Sequence, residues 1–322
     1  MTPSYNQGEF IEKTILSILD QNYPNLEYII IDGGSTDDTI EIIKKYESHI
    51  TYWISESDKG QSHAINKGLK KCTGDIFNWL NSDDYLEPGA LHKVSKAFEE
   101  NEINVFAGRS RIIGGQVTRY SKGTDLYDDL SKSIGWARID QPETFFRMNA
   151  IKSLGNLNDH LHYVMDKEWW IRYLWLFGDK GVFKSDEVLV NFRLHEKSKT
   201  ISQESGFLKE SRSLFYTLAE KYKLKTHADF IASNFDIFIV DSLNNLPIKP
   251  IEEVEKILNY HITLIFLEAY AQNNYKLAKK AYEIINPNLL LNEDKQEVHK
   301  VALRLKYLPS YIKKAFNYIS TL

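Results

Sequence analysis

Two acidic turns about fifty residues apart carry the chemistry this sequence can do. The first lies in YIIIDGGSTDDT (residues 28–39), where an apolar run stops at Asp32 and Gly33 and Gly34 turn the chain. The second lies in WLNSDD (residues 79–84), which delivers Asn81, Ser82, Asp83 and Asp84 behind another apolar run. Adjacent carboxylates on a tight turn repel each other unless a cation or hydrogen-bond donors offset the charge. A divalent ion, Mg²⁺ or Mn²⁺, meets that need: it takes one or two protein carboxylates and keeps sites for phosphate oxygens. Asp32, at the mouth of its strand, is placed to accept hydrogen bonds from a base or ribose. Simpler readings stand beside these. Asp32 and Ser35 also suit a helix cap, and Asp and Asn are common turn formers.

Both turns require a frame that ends strands at one edge. Ile29, Ile30 and Ile31 read as a buried parallel strand, residues 75–80 as a second, and ligands of open α/β sheets bind beyond the carboxyl ends of strands. Helical spacing of Ile11, Ile15, Ile18 and Leu19, and again of Ala64, Ile65, Gly68 and Leu69, supplies covering helices. The pattern changes near residue 205. Segments 207–222, 228–243, 251–271, 275–285 and 294–307 all read as helices, punctuated by Pro247, Pro250, Pro287 and Pro309. The expected organisation is an α/β unit over residues 1–204 and an all-helical extension over 205–322.

Composition narrows the function classes. The 322 residues are 43% hydrophobic and 26% charged, which is ordinary for a globular chain. A net charge of -4, with no basic strip interleaved with aromatics, gives no nucleic-acid signal. The single cysteine, Cys72, excludes an intrachain disulfide and suits a reducing cytoplasm. No stretch reaches the roughly 20 apolar residues that span a bilayer, and no signal core opens the chain. A cytoplasmic location is therefore expected. No GxxxxGK[ST] segment is present, which disfavours nucleotidyl or phosphoryl transfer.

TPSYNQGEFIEKTILSILDQNYPNLEYIIIDGGSTDDT, then SDKGQSHAINKG, then GDIFNWLNSDDYLEPGAL, resemble in order and spacing the nucleotide-sugar half of a family 2 glycosyltransferase. The resemblance covers about the first 200 residues. It implies the GT-A fold, a Rossmann-like mixed sheet flanked by helices, and an inverting transfer from a nucleotide-diphosphate sugar. UDP is favoured as donor, Mn²⁺ or Mg²⁺ as cofactor, and a glycan or lipid-linked molecule as acceptor. In its terms Thr2, Pro3 and Tyr5 lie against the base, and Asp32 binds a pyrimidine imide. Lys59, Gly60, Gln61 and Asn66 line nucleotide and sugar. Asn81, Ser82 and Asp83 match the DXD-like motif with Asp84 adjacent, Asn81 standing where an Asp is common. That exchange leaves fewer charges on the ion. His63, where relatives often carry Asp, receives no role.

The resemblance also implies the acceptor side. In YVMDKEWWIR (residues 163–172), Asp166 matches the base that takes the acceptor proton, a task one carboxylate can perform. An N-cap role for Asp166 and a core role for Trp169 and Trp170 compete with that reading. Gln141 and Glu143 of QPETFFR, with Trp169 and Trp170, are acceptor-side candidates. His195 matches the His of an RxH motif and is a candidate for the metal or the diphosphate, so the expected metal set is Asp83, Asp84 and His195. Family members carry an apolar strand just before the TPSYNQ segment, where this sequence has only Met1, so a gap in the sheet and reduced stability are expected. A catalytically silent sugar-nucleotide-binding module is therefore a rival reading. The end of the chain mixes Arg304, Lys306, Lys313 and Lys314 with apolar residues, a pattern suited either to an anionic membrane surface or to packing.

Overall fold

In the computed structural model, described at residues 1–114, 118–195, 198 and 204–309, the chain forms two compact units. One comprises Met1–Asp125 and Arg138–Phe207, the other Leu126–Ala137 and Leu208–Leu322.

The first unit opens with β1 (Thr2–Ser4), α1 (Ile11–Leu19), β2 (Ile29–Asp32), α2 (Thr39–Lys45), β3 (Tyr52–Ser55) and α3 (Gln61–Leu69). The three strands are parallel in the order β1-β2-β3, with Ile30 opposite both Thr2 and Trp53. The run of isoleucines in β2 is explained by burial on both faces. Ile30 packs with Ile11, Ile15 and Ile43 from α1 and α2, whereas Ile29 and Ile31 pack with Ala64 of α3. Side chains alternate across a strand, so a strand covered by helices on both sides has no polar face. The residues expected to follow a first strand are themselves that strand. On the other side of β1, Leu80 N–H donates to the Met1 carbonyl at 2.9 Å, and the Met1 amine donates to the Asn78 carbonyl at 2.9 Å.

A second sheet is built from β4 (Ile76–Phe77), β5 (Tyr85–Leu86), β6 (Val105–Ile113), β7 (Arg119–Tyr120), β8 (Thr144–Arg147) and β9 (Val182–Arg193). Its order is β4-β8-β6-β9-β5, with β7 on β6. Only β6 and β9 run parallel, so the sheet is mixed. The helix that follows Asp166 spans Met165–Phe177. Trp169, Trp170, Tyr173 and Leu174 on it are at most 1% exposed.

The second unit is helical, with helices at Glu204–Lys221 (shared with the end of the first), Lys225–Asn234, Ile251–Ala271, Tyr275–Ile284 and Asn292–Tyr307. The predicted helix over 228–243 stops at Asn234, because Ser213 and Thr217 hydroxyls capture the N–H groups of Phe238 and Val240 at 3.0 and 2.9 Å. This unit also takes in the helix Leu130–Trp136, which lies within the 1–204 span of the sequence reading. Gly135 lets that helix approach Ile251–Ala271: a Cβ there would stand 2.5 Å from the Ile257 carbonyl oxygen. Trp136 Nε1–H donates to the Tyr260 carbonyl across the same contact. Lys313 and Lys314 of the proposed membrane-facing end lie outside the described residues. No helix of the described residues is long and apolar enough to cross a membrane.

Candidate active site

The ends of β1 and β2, the start of α3 and the 81–83 turn enclose a cleft of about 580 Å³. Pro3, Tyr5, Gly60, Gln61, Asn81, Ser82, Asp83 and His195 line it, as expected, and Ser4 joins them. Tyr5 is 61% exposed, a free aromatic face beside Gly33. A Cβ at Gly33 would meet Asp58 Oδ2 at 2.8 Å and the Tyr5 ring at 3.3 Å, so glycine keeps this corner open. Among the described residues no Lys or Arg lines the cleft.

The 81–84 turn is fixed from behind. Thr14 Oγ donates to the carbonyls of Ser82 and Asp84 at 2.8 and 2.5 Å. The Arg193 guanidinium binds the carbonyls of Asp83 and Phe10. These bonds turn the two carboxylates opposite ways. Asp83 Oδ2 reaches the cleft and stands 3.1 Å from His195 Nε2, whose ring stacks on Phe10 at 4.6 Å. Asp84 points inward at 1% exposure, where Oδ1 accepts the Arg193 N–H at 2.9 Å. Burial, then the neighbouring charge of Asp83, raises its pKa well above the usual carboxylate range. The expected set Asp83, Asp84 and His195 therefore loses Asp84, and no group of three His, Cys, Asp or Glu gathers for a metal among the described residues. Asp83 and His195 still offer two donors at one edge of the cleft. Two suffice for a Mg²⁺- or Mn²⁺-like ion that leaves most of its coordination to phosphate and water.

Four further expectations are corrected. Asp32 is fully buried, and its carboxylate is filled by the N–H groups of Gly34 and Ser35 and the hydroxyls of Ser35 and Ser55 at 2.5–3.0 Å. It shapes the turn, and its burial leaves neither oxygen exposed to a base. Thr2 is buried against the Tyr28 hydroxyl. Asn66 is 4% exposed and clasps the segment before Asp166, bonding Leu157 N–H, Leu157 carbonyl and Asp159. Lys59 lies off the lining and gives its N–H to His63 Nδ1. The carboxylate that does line the cleft is Asp58, one oxygen of which accepts Gly60 N–H at 2.7 Å. Its Asp-x-Gly spacing at a helix start was the available signal.

A second cleft, of about 750 Å³, adjoins the first and shares Gln61, Asn81 and Phe192 with it. At the shared edge Gln61 Nε2–H donates to Asn81 Oδ1 at 2.7 Å, so both clefts meet at a neutral amide pair. Asp166, Gln141 and Glu143 line this second cleft. Asp166 is half-buried in the first turn of its helix, and burial pushes its pKa up to about 6. Glu143 is 1% exposed and accepts the hydroxyls of Ser110 and Ser121. Burial, then the charge of Asp140, pushes it up to about 7. Gln141 Nε2–H donates to the Trp79 carbonyl at 2.7 Å, fixing the wall. Trp169 and Trp170 are not in the lining. They pack on Trp79, Phe146 and Tyr173 in the core because their helix is covered nearly all round. The aromatic lining comes instead from Trp79, Tyr120, Tyr163, Phe192 and Phe207.

Comparison with known proteins bears on these clefts. The model of "Glycosyl transferase family 2" matches residues 1–172. A Rickettsia typhi protein named as an uncharacterized glycosyltransferase is 26% identical over 219 residues, 62% of this chain and 64% of that one. The chain thus spans less than two thirds of that relative. The S. aureus TarS 1-349 structure with UDP-GlcNAc superposes with a TM-score of 0.59 at 17% identity, over 98% of this chain and 88% of that one. A Pyrobaculum calidifontis mannosyltransferase with GDP-Man and Mn2+ gives a TM-score of 0.50 at 16% identity, over 98% and 82%. These likenesses show the shared GT-A fold. With the matched stretch taking in Tyr5, the Asp83 turn, the amide pair and Asp166 alike, the chain belongs to glycosyl transferase family 2.

Proposed function

We propose that this protein is an inverting glycosyltransferase that moves a sugar from a nucleoside-diphosphate donor, UDP-linked by preference, to a hydroxyl of a glycan or lipid-linked acceptor. The observation that carries the reading is the junction of the two clefts at Gln61 and Asn81. One side offers an aromatic face and a divalent-ion donor pair; the other offers a carboxylate with a raised pKa. A sugar seated across the junction would have its diphosphate toward Asp83 and its anomeric carbon toward Asp166.

The base would lie on Tyr5, with the Asp58 carboxylate accepting from a pyrimidine imide, the task first expected of Asp32. The N–H groups at the start of α3 face the same cleft and favour phosphate. Asp83 and His195 would hold Mg²⁺ or Mn²⁺, which when bound supplies positive charge for the departing diphosphate in a cleft whose described lining has no Lys or Arg. Asp166 takes the acceptor hydroxyl proton as the oxygen attacks the anomeric carbon. The new C–O bond forms as the bond to the diphosphate breaks on the opposite face, which inverts the centre. Asn81 and Gln61 orient the sugar without adding charge. The contribution is positioning and electrostatics with no covalent enzyme intermediate.

Titration of UDP, GDP and dTDP with and without Mn²⁺, followed by transfer assays on the nucleotide that binds, tests the proposal. Metal-dependent binding of UDP and a product of inverted anomeric configuration by NMR are expected. Binding without any transfer to a broad acceptor panel would favour the silent sugar-nucleotide-binding module. An acceptor held at the inner face of a membrane would suit the basic Arg304 and Lys306 of the last described helix, and liposome flotation checks that part.

A further inference from the structure

The acceptor-side cleft separates its charges by depth. Its floor holds Glu143 and Gln141, at 1% and 4% exposure, with half-buried Asp166 beside them. Its mouth is formed by the β7 segment, where Arg119, Tyr120 and Lys122 are exposed, Tyr120 by 52%. The third cation of the cleft, Arg138, is already committed. It grips the Asp125 carboxylate at 2.8–2.9 Å and the Asp140 carboxylate at 3.1–3.2 Å. Arg119 and Lys122, in contrast, have no partner among the described residues, and both line the cleft.

Alternation of the segment explains the outward turn of Tyr120 and Lys122, and Arg119 is exposed beside them. Ser121 points inward and donates to Glu143, so its neighbours Tyr120 and Lys122 turn outward. Two unpaired cations flanking an exposed aromatic ring make a surface that takes a sugar face on the ring and negative charge on either side. Neither cation lines the donor-side cleft, where the diphosphate is placed. Nor do they neutralise Glu143 on the floor, whose two oxygens accept from Ser110 and Ser121.

Resting on the glycosyltransferase reading above, we infer that the acceptor is an anionic glycan whose backbone carries phosphodiester or carboxylate groups. Its terminal hydroxyl reaches Asp166 while a charged unit farther back sits on Arg119 and Lys122, with the intervening ring on Tyr120. The neutral floor amides and the acid at the reaction centre exclude the anion from the catalytic end, so charge is read only at a distance from the hydroxyl that reacts.

The test is binding to the wild type and to the double variant Arg119→Gln/Lys122→Gln, measured by calorimetry with UDP and Mn²⁺ present. The probes are a glycerol-phosphate oligomer, a uronate-containing tetrasaccharide and neutral chitotetraose. At least one anionic probe should bind more tightly than chitotetraose, lose affinity as salt is raised, and weaken about threefold to tenfold in the double variant. Which anionic probe binds separates phosphodiester from carboxylate. UDP affinity should be the same in both proteins, which keeps the two readings apart. Chitotetraose binding as well as the anionic probes, or anionic binding indifferent to the double change, overturns the inference while leaving donor binding intact. Loss of both UDP and glycan binding in the wild type overturns the glycosyltransferase reading beneath it.

Discussion

The donor-side and acceptor-side clefts share a wall but handle charge by different means. Among the described residues the donor side has no Lys or Arg and one half-buried acid-imidazole pair, Asp83 with His195, so on the proposed reading its positive charge comes from an ion that arrives with the ligand. The acceptor side holds its own carboxylates, buried Glu143 and half-buried Asp166, at pKa values raised by burial. On the proposed reading one side serves a diphosphate, whose charge is permanent, and the other a proton, whose charge is transient. The difference teaches that burial which raises a carboxylate's pKa at a cleft suits proton chemistry, whereas a carboxylate beside an imidazole suits cation chemistry; buried Asp32 and Asp84, held by their own donors, shape turns instead.

The largest effect that would sharpen the comparison is Asp166→Asn. Transfer should fall by about a thousandfold, within the range general bases contribute, while metal-dependent UDP affinity stays within twofold. Unchanged transfer would move the base to another residue. Asp83→Ala should do the reverse, weakening UDP binding in Mn²⁺ by roughly tenfold or more, about 1.4 kcal/mol, and removing the difference between metal and no metal. Equal loss with EDTA present would show that the carboxylate acts without an ion.

Proton chemistry also predicts a pH signature. Glu143 and Asp166 have folded-state pKa values above their unfolded ones, so the folded chain keeps its protons to higher pH. Their effect on stability is thus a loss as pH rises from about 4, the ordinary carboxylate value, to about 7. Glu143→Gln should flatten that loss and stabilise the protein at pH 8 by about 1–3 kcal/mol, read from denaturant melts at pH 5 and pH 8. A parallel pH profile in variant and wild type would contradict it. Transfer by the wild type should rise with pH through about 6, as Asp166 becomes the carboxylate that accepts a proton.

Two smaller effects test positioning. Asn66→Ala leaves Leu157 N–H without its buried partner and should cost about 1–3 kcal/mol of stability, with transfer reduced more than UDP binding because the clasped segment leads to Asp166. Tyr5→Ala, at an exposed stacking face, should weaken UDP by about threefold to tenfold and leave stability unchanged.

Much of the frame was legible because its signals are local. An isoleucine run ended by Asp-Gly-Gly reads as a strand buried on both faces and its turn, and Ile11, Ile15 and Ile18 read as its covering helix. The helix Leu130–Trp136 was not legible as part of the helical unit, because its placement depends on one glycine meeting the Ile257 carbonyl far along the chain. Within the site, the motif residues Tyr5, Gln61, Asn81, Asp83 and His195 all reached the donor side as expected. Asp32, Asp84 and Asn66 have the same polar character yet turned inward, and Asp58 took a place on the lining that had been expected of Asp32.

By itself the sequence determined which segments carry carboxylates to strand ends and which helices are amphipathic, since both follow from residue type and period. Tertiary structure decided which carboxylate of a pair faces ligand. At Asp83 and Asp84 that choice is made by Thr14 and Arg193, residues about 70 and 110 positions away that bind the turn's carbonyls and the Asp84 side chain. It likewise decided that Trp169 and Trp170 fill a core while Trp79 lines a cleft, because a tryptophan's role depends on what covers its helix or strand. Burial, and with it the raised pKa of Glu143 and Asp166, exists only once the chain has closed around them.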